Sequence, residues 1–126
     1  MASSVAESRG QEALAARRRA YQRALAEAIE HIVAVLAGRP EVERAILFGS
    51  YVAGRRDLFT DLDLLIIMDS PLDFVTRTAE MVRYLSAQVD MDVLVYTPEE
   101  LERQRARAFI RRVLEQGKVI YEKRTA

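Results

Sequence analysis

Residues 42–68 read VERAILFGSYVAGRRDLFTDLDLLIIM, and this stretch decides the fold. It holds two short apolar runs that predict strands, the first ended by Gly49-Ser50. After ten intervening residues, Asp61-Leu62-Asp63 opens the second run. Because side chains alternate between the two faces of a strand, Asp61 and Asp63 are expected to project from one face, about 7 Å apart. The stretch therefore predicts a pair of carboxylates at a strand end, near a glycine turn.

The two carboxylates indicate a metal site. Side by side and unpaired, Asp61 and Asp63 would repel each other, and one would tend to keep its proton. A divalent cation removes this repulsion, and ligands that are all oxygen favour Mg²⁺ or Mn²⁺. A glycine-led turn after a strand exposes backbone N–H groups, so Gly49 and Ser50 are predicted to bind phosphate. Together these features favour chemistry on a nucleoside triphosphate.

A third carboxylate comes from the next predicted strand, which runs from Asp90 to Tyr96. Asp90 and Asp92 share one face of it, so either could reach the same metals if this strand lies beside the one that begins at Asp61. Asp92 is favoured because it lies further into the strand. Burying an acid among apolar neighbours there is unfavourable unless the acid has a specific partner. Three carboxylates can hold two metals for an in-line displacement, and the third can take the proton of the attacking hydroxyl.

Helices and strands alternate along the rest of the chain. A polar stretch at residues 1–10 is expected to be flexible, and a helix with one apolar stripe is predicted from about residue 12 to residue 37. Further strands are expected at 42–48, 62–68, 90–96 and 118–121. At 126 residues, the chain is predicted to be one domain, spanning residues 1–126, in which helices pack on a sheet.

Two later helices have start signals in the sequence. Ser70 is predicted to cap the first, with Pro71 at its first position. Thr97 and Glu100 predict a capping box for the second, which is expected to run to about residue 116 and to end at Gly117. The inner face of the first of these helices is predicted to carry Phe74, Thr78, Met81, Val82, Leu85 and Val89.

Composition excludes several classes of function. The 19 basic and 19 acidic residues cancel, so no net field draws the protein to nucleic acid or to a membrane. The absence of cysteine excludes disulfides, zinc-thiolate sites and thiol nucleophiles, and fits a reducing cytoplasm. No apolar run approaches the roughly 20 residues that span a bilayer, and the N-terminus does not resemble a signal peptide. We expect a cytoplasmic protein that contacts neither membrane nor nucleic acid directly.

The combination of Gly49-Ser50, Asp61-x-Asp63 and a strand acid at Asp92 resembles the minimal nucleotidyltransferases of the DNA polymerase β superfamily. The resemblance runs from about residue 42 to residue 121, and its one small departure is Thr60, where a serine often precedes the first aspartate. It implies a mixed, mostly four-stranded sheet flanked by helices, with a long N-terminal helix. It also implies two Mg²⁺ ions held by the three aspartates, with Gly49 and Ser50 on the triphosphate of ATP.

Many short members of that family are antitoxins paired with a HEPN-domain toxin, an RNase. The resemblance implies that this protein acts in a type VII toxin-antitoxin pair, by moving AMP from ATP to a tyrosine of its toxin. With about 126 residues, little room remains for an acceptor-binding domain, which favours a protein acceptor. Two alternatives stay open: an antitoxin that neutralises its toxin by binding alone, and an adenylyltransferase of small molecules such as antibiotics. A homodimer also stays open.

Several other residues have simpler interpretations. Tyr51 could stack near the nucleotide, but packing is favoured. Arg55 and Arg56 could touch phosphate, but a solvated surface is favoured. His31 is interpreted as a surface or hydrogen-bonded helix residue, distant in sequence from the aspartates. The arginine-rich stretches at 17–19 and 103–112 are interpreted as a solvated or partner-facing surface, because glutamates lie among them.

Overall fold

Four helices and four strands make up residues 2–124, the part of the chain that the computed structural model describes. In chain order they are α1 Ala2–Ala37, β1 Val42–Phe48, β2 Leu62–Met68, α2 Phe74–Leu85, β3 Met91–Tyr96, α3 Pro98–Gln104, α4 Ala108–Gln116 and β4 Lys118–Glu122. The sheet has the order β3-β2-β1-β4. Since β2 and β3 are parallel and the other pairs antiparallel, the predicted mixed four-stranded sheet is confirmed.

Helix α1 begins about ten residues earlier than predicted. It starts at Ala2 because residues 2–11 contain no proline and mostly residues that a helix tolerates, so nothing in the sequence stops it. Residues 5–20 are exposed apart from the half-buried Ala15, and packing against the sheet begins at Tyr21. The flexibility expected of residues 1–10 stays a prediction. Met1 and residues 125–126, which the single-domain prediction also covers, lie outside the described residues.

The sheet separates two apolar clusters. On β2, Leu62, Leu64 and Ile66 are buried against α1 and α2, whereas Leu65 and Ile67 are buried against α3 and α4. This alternation follows from the two-residue period of a strand with both faces covered. Asp63 has the same parity as Leu65, so it lies on the α3 and α4 side of the sheet, at the end where the strand begins.

The start of α2 differs from the prediction. The Ser70 hydroxyl accepts a hydrogen bond from the Leu72 backbone N–H at 3.1 Å and so closes a local turn. The cap is Asp73, whose carboxylate accepts from the Thr76 N–H at 2.8 Å. Asp is as good a cap as Ser, and here it stands three residues before an N–H that needs a partner. The predicted cap at Ser70, with Pro71 in the first turn, is therefore wrong.

The inner face of α2 was also only partly predicted. Met81 and Leu85 are buried as expected, but Val82 is 41% exposed. The third buried residue of α2 is Arg77, which was not expected there. Its guanidinium donates to the Val95 carbonyl and to Glu100 at the start of α3, so a charged side chain fills the space between two helices and a strand.

The segment that follows β3 folds as two helices rather than one. The predicted capping box at Thr97 and Glu100 is present, but the helix stops at Gln104 and α4 begins at Ala108. In one continuous helix, Leu101 and Ile110 would point roughly 180° apart, at about 100° per residue. The break allows both to reach the same apolar cluster against β2. Of the helices in the described part of the chain, none combines the length and the apolar composition that crossing a bilayer requires.

Candidate active site

Two of the predicted site residues, Asp63 and Asp92, lie side by side. In the parallel pairing of β2 with β3, they are direct register partners, and Phe48 of β1 is opposite Asp63 on its other side. Side chains at these positions project from the α3 and α4 face of the sheet, because they share parity with Leu65 and Leu94. The register thus brings a carboxylate from each of two strands to one point at the end of the sheet.

The charged form of Asp63 is destabilised by its surroundings. Partial burial raises the pKa of its carboxyl above the ordinary value of 3.8, and the neighbouring Asp92 and then Asp61 raise it further. Asp92 itself is exposed, because β3 is an edge strand of the sheet. The apolar surroundings that the sequence argument gave to Asp92 are therefore absent, and its place is explained by the pairing with Asp63. Asp90 is also exposed, and its carbonyl accepts from the Leu62 N–H at 3.1 Å.

The loop that leads to Asp61 is held by Asp57. The Asp57 carboxylate accepts hydrogen bonds from the Phe59 N–H at 2.9 Å, the Thr60 hydroxyl at 3.3 Å and the Arg55 guanidinium at 2.7 Å. Thr60 is fully buried, so its hydroxyl is satisfied within the loop. Thr60 thus fits its position as well as a serine would, and the loop delivers Asp61 to the start of β2 in a defined conformation.

Helix α1 fastens the same loop from the other side. The Tyr21 hydroxyl donates to the Thr60 carbonyl at 2.7 Å, and the Gln22 amide donates to the Arg56 carbonyl at 3.2 Å. The hydrogen bond to Thr60 places the phenol one residue before Asp61. Burial raises the pKa of Tyr21, and the carboxylates of Asp61, Asp90 and Asp57 raise it further. Tyr21 belongs to the apolar stripe that the helical pattern predicts for α1, and no sequence signal distinguishes it from a packing residue.

The turn after β1 is built around Gly49. Its φ is +81°, a left-handed conformation that favours glycine. A Cβ at this position would lie 2.0 Å from Oδ2 of Asp63, so glycine also makes room for that carboxylate. The Gly49 carbonyl accepts a hydrogen bond from the Ala53 N–H, and the Ser50 carbonyl accepts one from the Arg55 N–H, which closes a helix-like turn. The predicted phosphate-binding pair is therefore adjacent to the predicted metal ligands.

We expect Gly49→Ala to disturb Asp63 and to cost stability. The left-handed backbone costs a residue with a Cβ about 1–2 kcal/mol, and the clash would displace the Asp63 carboxylate as well. Thermal unfolding should show the first effect. Titration with Mg²⁺ and ATP should show a loss of about tenfold or more in affinity, which is ~1.4 kcal/mol.

Gly54→Ala is the matched control for this variant. Gly54 has a φ of +105°, but a Cβ there would meet nothing within 4 Å. It should share the loss of stability and keep the affinity for ATP. Equal losses of affinity in both variants would contradict the role given to Gly49.

Asp61, Asp63 and Asp92 form an acidic cluster whose oxygen ligands fit a divalent cation. Asp63 and Asp92 supply oxygen ligands from adjacent strands, Asp61 lies close enough to raise the same pKa, and a cation would relieve their mutual repulsion. Within residues 2–124, however, no three His, Cys, Asp or Glu side chains already stand in an arrangement that could hold a metal ion. The metal site at Asp61, Asp63 and Asp92 therefore stays a prediction that the chemistry of the cluster favours.

The structure gives the remaining candidates other contacts. Tyr51 packs against the α1 side of the sheet, with the Arg56 guanidinium 3.5 Å from the centre of its ring. Arg55 forms an ion pair with Asp57. His31 is hydrogen-bonded through Nε2 to the Leu85 carbonyl at 2.7 Å. These contacts agree with the simpler interpretations of Tyr51, Arg55 and His31. Arg56 is half-buried and donates to the Tyr51 carbonyl, so it is a packing residue rather than the solvated one that was expected.

A cleft of about 400 Å³ opens beside the Gly49 turn and was not anticipated from the sequence. One wall is the end of β1 and the turn, and the other is α4. Its lining residues are Phe48, Gly49, Val52, Ala53, Phe109, Arg112, Val113, Gln116 and Gly117. The cleft therefore adjoins the turn on the side away from β3.

Comparison with known proteins agrees with this geometry. A family model described as "Polymerase beta, Nucleotidyltransferase" matches residues 30–126. A Methanocaldococcus jannaschii protein named as a protein adenylyltransferase is 30% identical over 100 residues, which cover 79% of this chain and 97% of that protein. The family match reaches from the last quarter of α1 to the end of the chain, so it includes Gly49, Ser50, Asp61, Asp63 and Asp92 but not Tyr21.

Solved structures share the fold. A Sulfolobus solfataricus structure described as a nucleotidyltransferase has a TM-score of 0.54 at 18% identity, covering 84% of each chain. A crystal structure described as "the toxin-antitoxin with AMP-PNP" has a TM-score of 0.53 at 23% identity, covering 76% of this chain and 74% of that one. The family resemblance drawn from the sequence is confirmed: the chain belongs to the polymerase β nucleotidyltransferase family.

Proposed function

We propose that this nucleotidyltransferase moves AMP from ATP to a tyrosine hydroxyl of a partner protein, a HEPN-domain toxin, and thereby acts as its antitoxin. The observation that carries the proposal is the pairing of Asp63 with Asp92 directly beside the Gly49 turn. The carboxylates could hold a metal ion next to the α-phosphorus that reacts, and the turn could bind the other phosphates of ATP. ATP and an RNase toxin would both be found in the cytoplasm, which is where we place the protein.

Each residue of the site has a proposed role. Asp61, Asp63 and Asp92 would hold Mg²⁺, with two ions expected and Mn²⁺ as a substitute. When bound, the metal would neutralise charge on the phosphates and polarise the attacking hydroxyl. Gly49 and Ser50 would orient the triphosphate. The hydrogen bonds that Asp57 accepts from the loop, and the one that Tyr21 donates to it, would hold Asp61 in place. Most of the catalysis of phosphoryl transfer comes from positioning and charge neutralisation. A fixed position of Asp61 is therefore expected to increase the rate of transfer.

The proposed transfer is a single in-line displacement. The acceptor oxygen forms a bond to the α-phosphorus, and the bond from that phosphorus to the oxygen bridging to the β-phosphate breaks. Pyrophosphate leaves with the electron pair of that bond. Asp92 takes the hydroxyl proton, because it is the exposed carboxylate of the pair and lies on the edge strand, where an acceptor can approach.

A protein acceptor fits the surface around the site. Phe59, two residues before Asp61, is 80% exposed, and its backbone is held by Asp57, so the ring is presented to a partner rather than buried. An exposed aromatic residue next to a catalytic site is typical of a protein interface. The name of the Methanocaldococcus jannaschii relative and the description of the toxin-antitoxin structure with AMP-PNP point in the same direction.

The test uses the protein encoded by the neighbouring gene, which is the expected partner. Its intact mass is measured after incubation with this nucleotidyltransferase, ATP and Mg²⁺. We expect the mass of one or more AMP groups to be added, and tandem mass spectrometry should locate them on tyrosine. The control is the double variant Asp61→Asn/Asp63→Asn, which should bind the partner without modifying it.

Two other outcomes would redirect the assignment. A stable complex without added mass would favour an antitoxin that acts by binding alone. If neither complex nor added mass appears, but AMP is transferred to a small hydroxyl compound such as an aminoglycoside, the small-molecule alternative would replace the proposal. Each outcome contradicts the transfer of AMP to a partner protein.

A further inference from the structure

The cleft between the Gly49 turn and α4 lies in line with the acidic cluster. Across the sheet, Asp92 stands on β3, Asp63 on β2 and Gly49 at the end of β1, while β4, which follows α4, is next in order. A triphosphate whose α-phosphorus lies at the carboxylates and whose chain crosses the Gly49 turn would therefore end at this cleft. The terminal phosphates, rather than the base, are expected to reach it.

The cleft offers one positively charged side chain to such a ligand. Of the residues that line it within the described part of the chain, Arg112 alone carries a charge. Arg112 is exposed, and its guanidinium, like that of its neighbour Arg111, makes no salt bridge with any residue in the range 2–124. Arg112 therefore lies beside the predicted phosphate turn with its charge uncompensated.

The other lining residues strengthen an electrostatic contact. Phe48 and Phe109 form an edge-to-face pair with ring centres 5.7 Å apart, and Val52 and Val113 add apolar surface. Apolar walls reduce the local dielectric, so a charge-assisted hydrogen bond is stronger there than in open solvent. Arginine also binds phosphate oxygens in a bidentate manner.

Gly117 brings α4 close enough to β1 to form the cleft. A Cβ at this position would lie 2.4 Å from the Val113 carbonyl and 2.5 Å from a methyl carbon of Ile46. The end of α4 is thus seated directly on β1, one strand away from Asp63. This contact fixes the helix that carries Arg112 relative to the turn.

We propose that Arg112 binds the β- and γ-phosphates of the nucleotide and holds the pyrophosphate as it leaves, with the Gln116 amide as a second donor. The inference rests on the proposed nucleotidyl transfer but not on the identity of the acceptor. It adds a phosphate-binding residue from α4 to a site otherwise built from β1, β2 and β3.

The test compares Arg112→Ala with Arg111→Ala. Arg111 is the adjacent exposed arginine on α4 and does not line the cleft, so it controls for the loss of one surface charge. Affinities for ATP, inorganic tripolyphosphate and AMP are measured by calorimetry in the presence of Mg²⁺. Arg112→Ala should weaken ATP and tripolyphosphate by about tenfold and leave AMP unchanged, while Arg111→Ala should change none of the three.

Three results would overturn the inference. ATP and tripolyphosphate could bind Arg112→Ala as tightly as the wild type. AMP could weaken as much as ATP, which would place the base or sugar in the cleft. Arg111→Ala could have the same effect, which would indicate a general surface charge. Because every readout is binding, a failure to modify a partner protein would leave the result interpretable.

Discussion

Asp63→Asn is expected to abolish nucleotidyl transfer, with a loss of about 100-fold or more, while the variant unfolds at a higher temperature than the wild type when Mg²⁺ is absent. Transfer is lost because the central carboxylate of the proposed metal site becomes neutral, and removing one preorganised electrostatic group costs at least this much. Stability rises because Asp63 is partly buried and repelled by Asp92 and Asp61, and asparagine carries no charge. Activity and stability should therefore change in opposite directions.

Adding Mg²⁺ should reverse the order of stability. A cation that binds the folded wild type raises its unfolding temperature by mass action, and Asp63→Asn should respond little because a ligand is missing. Thermal unfolding with and without Mg²⁺ measures this directly. Asp69→Asn, which removes an exposed aspartate just after the other end of β2, is the control and should behave as the wild type. Full transfer by pure Asp63→Asn protein would show that the metal assignment is wrong.

The largest loss of stability is expected from Arg77→Met. Arg77 is 5% exposed and donates to the Val95 and Leu72 carbonyls, each at 2.9 Å, and to the Glu100 carboxylate. Its removal leaves two carbonyls and a partly buried carboxylate without their donor. Breaking a buried pair in this way costs about 3–5 kcal/mol, and we expect the lower end because the Glu100 side chain is 24% exposed.

Urea unfolding of Arg77→Met measures this loss, and Arg83→Met, which removes an exposed arginine from the same helix, serves as its control. The double variant Arg77→Met/Glu100→Met should recover part of the lost stability, because it also removes the stranded charge. If Arg77→Met were no less stable than Arg83→Met, the buried network would not hold α2 to α3.

The same ion pair predicts a dependence on pH. Burial alone would raise the pKa of Glu100, but hydrogen bonds from Thr97 and Arg77 outweigh it and hold the pKa below the ordinary value of 4.5. Since the folded state lowers this pKa, the stabilisation is present at neutral pH and is lost as the pH falls through the lowered value. The gap in unfolding free energy between the wild type and Arg77→Met should therefore narrow in acid. A gap that stayed constant down to about pH 3 would contradict this role of Glu100.

Most of the sheet could be predicted from local pattern. The bounds of β1 and β2 match the sequence prediction, because short apolar runs next to a glycine turn and a pair of acids have few other ways to fold. The capping box at Thr97 and the end of α4 at Gly117 were also visible. The start of α2 was not, because Ser70 and Asp73 are equally good caps, and the choice depends on which one has an N–H in reach.

The sequence by itself determined which chemistry is present: two acids at one strand end, a third on another strand, and a glycine turn before them. The tertiary structure alone decided what those groups face. The parallel register of β2 with β3 placed Asp92 against Asp63, packing placed the phenol of Tyr21 on the loop before Asp61, and a break between α3 and α4 turned Arg112 toward the Gly49 turn. The periods of strands and helices depend on residues that are close in sequence, so they can be recognised from the sequence. These contacts join residues that are distant along the chain, and they stabilise the protein only after the helices and strands have packed together.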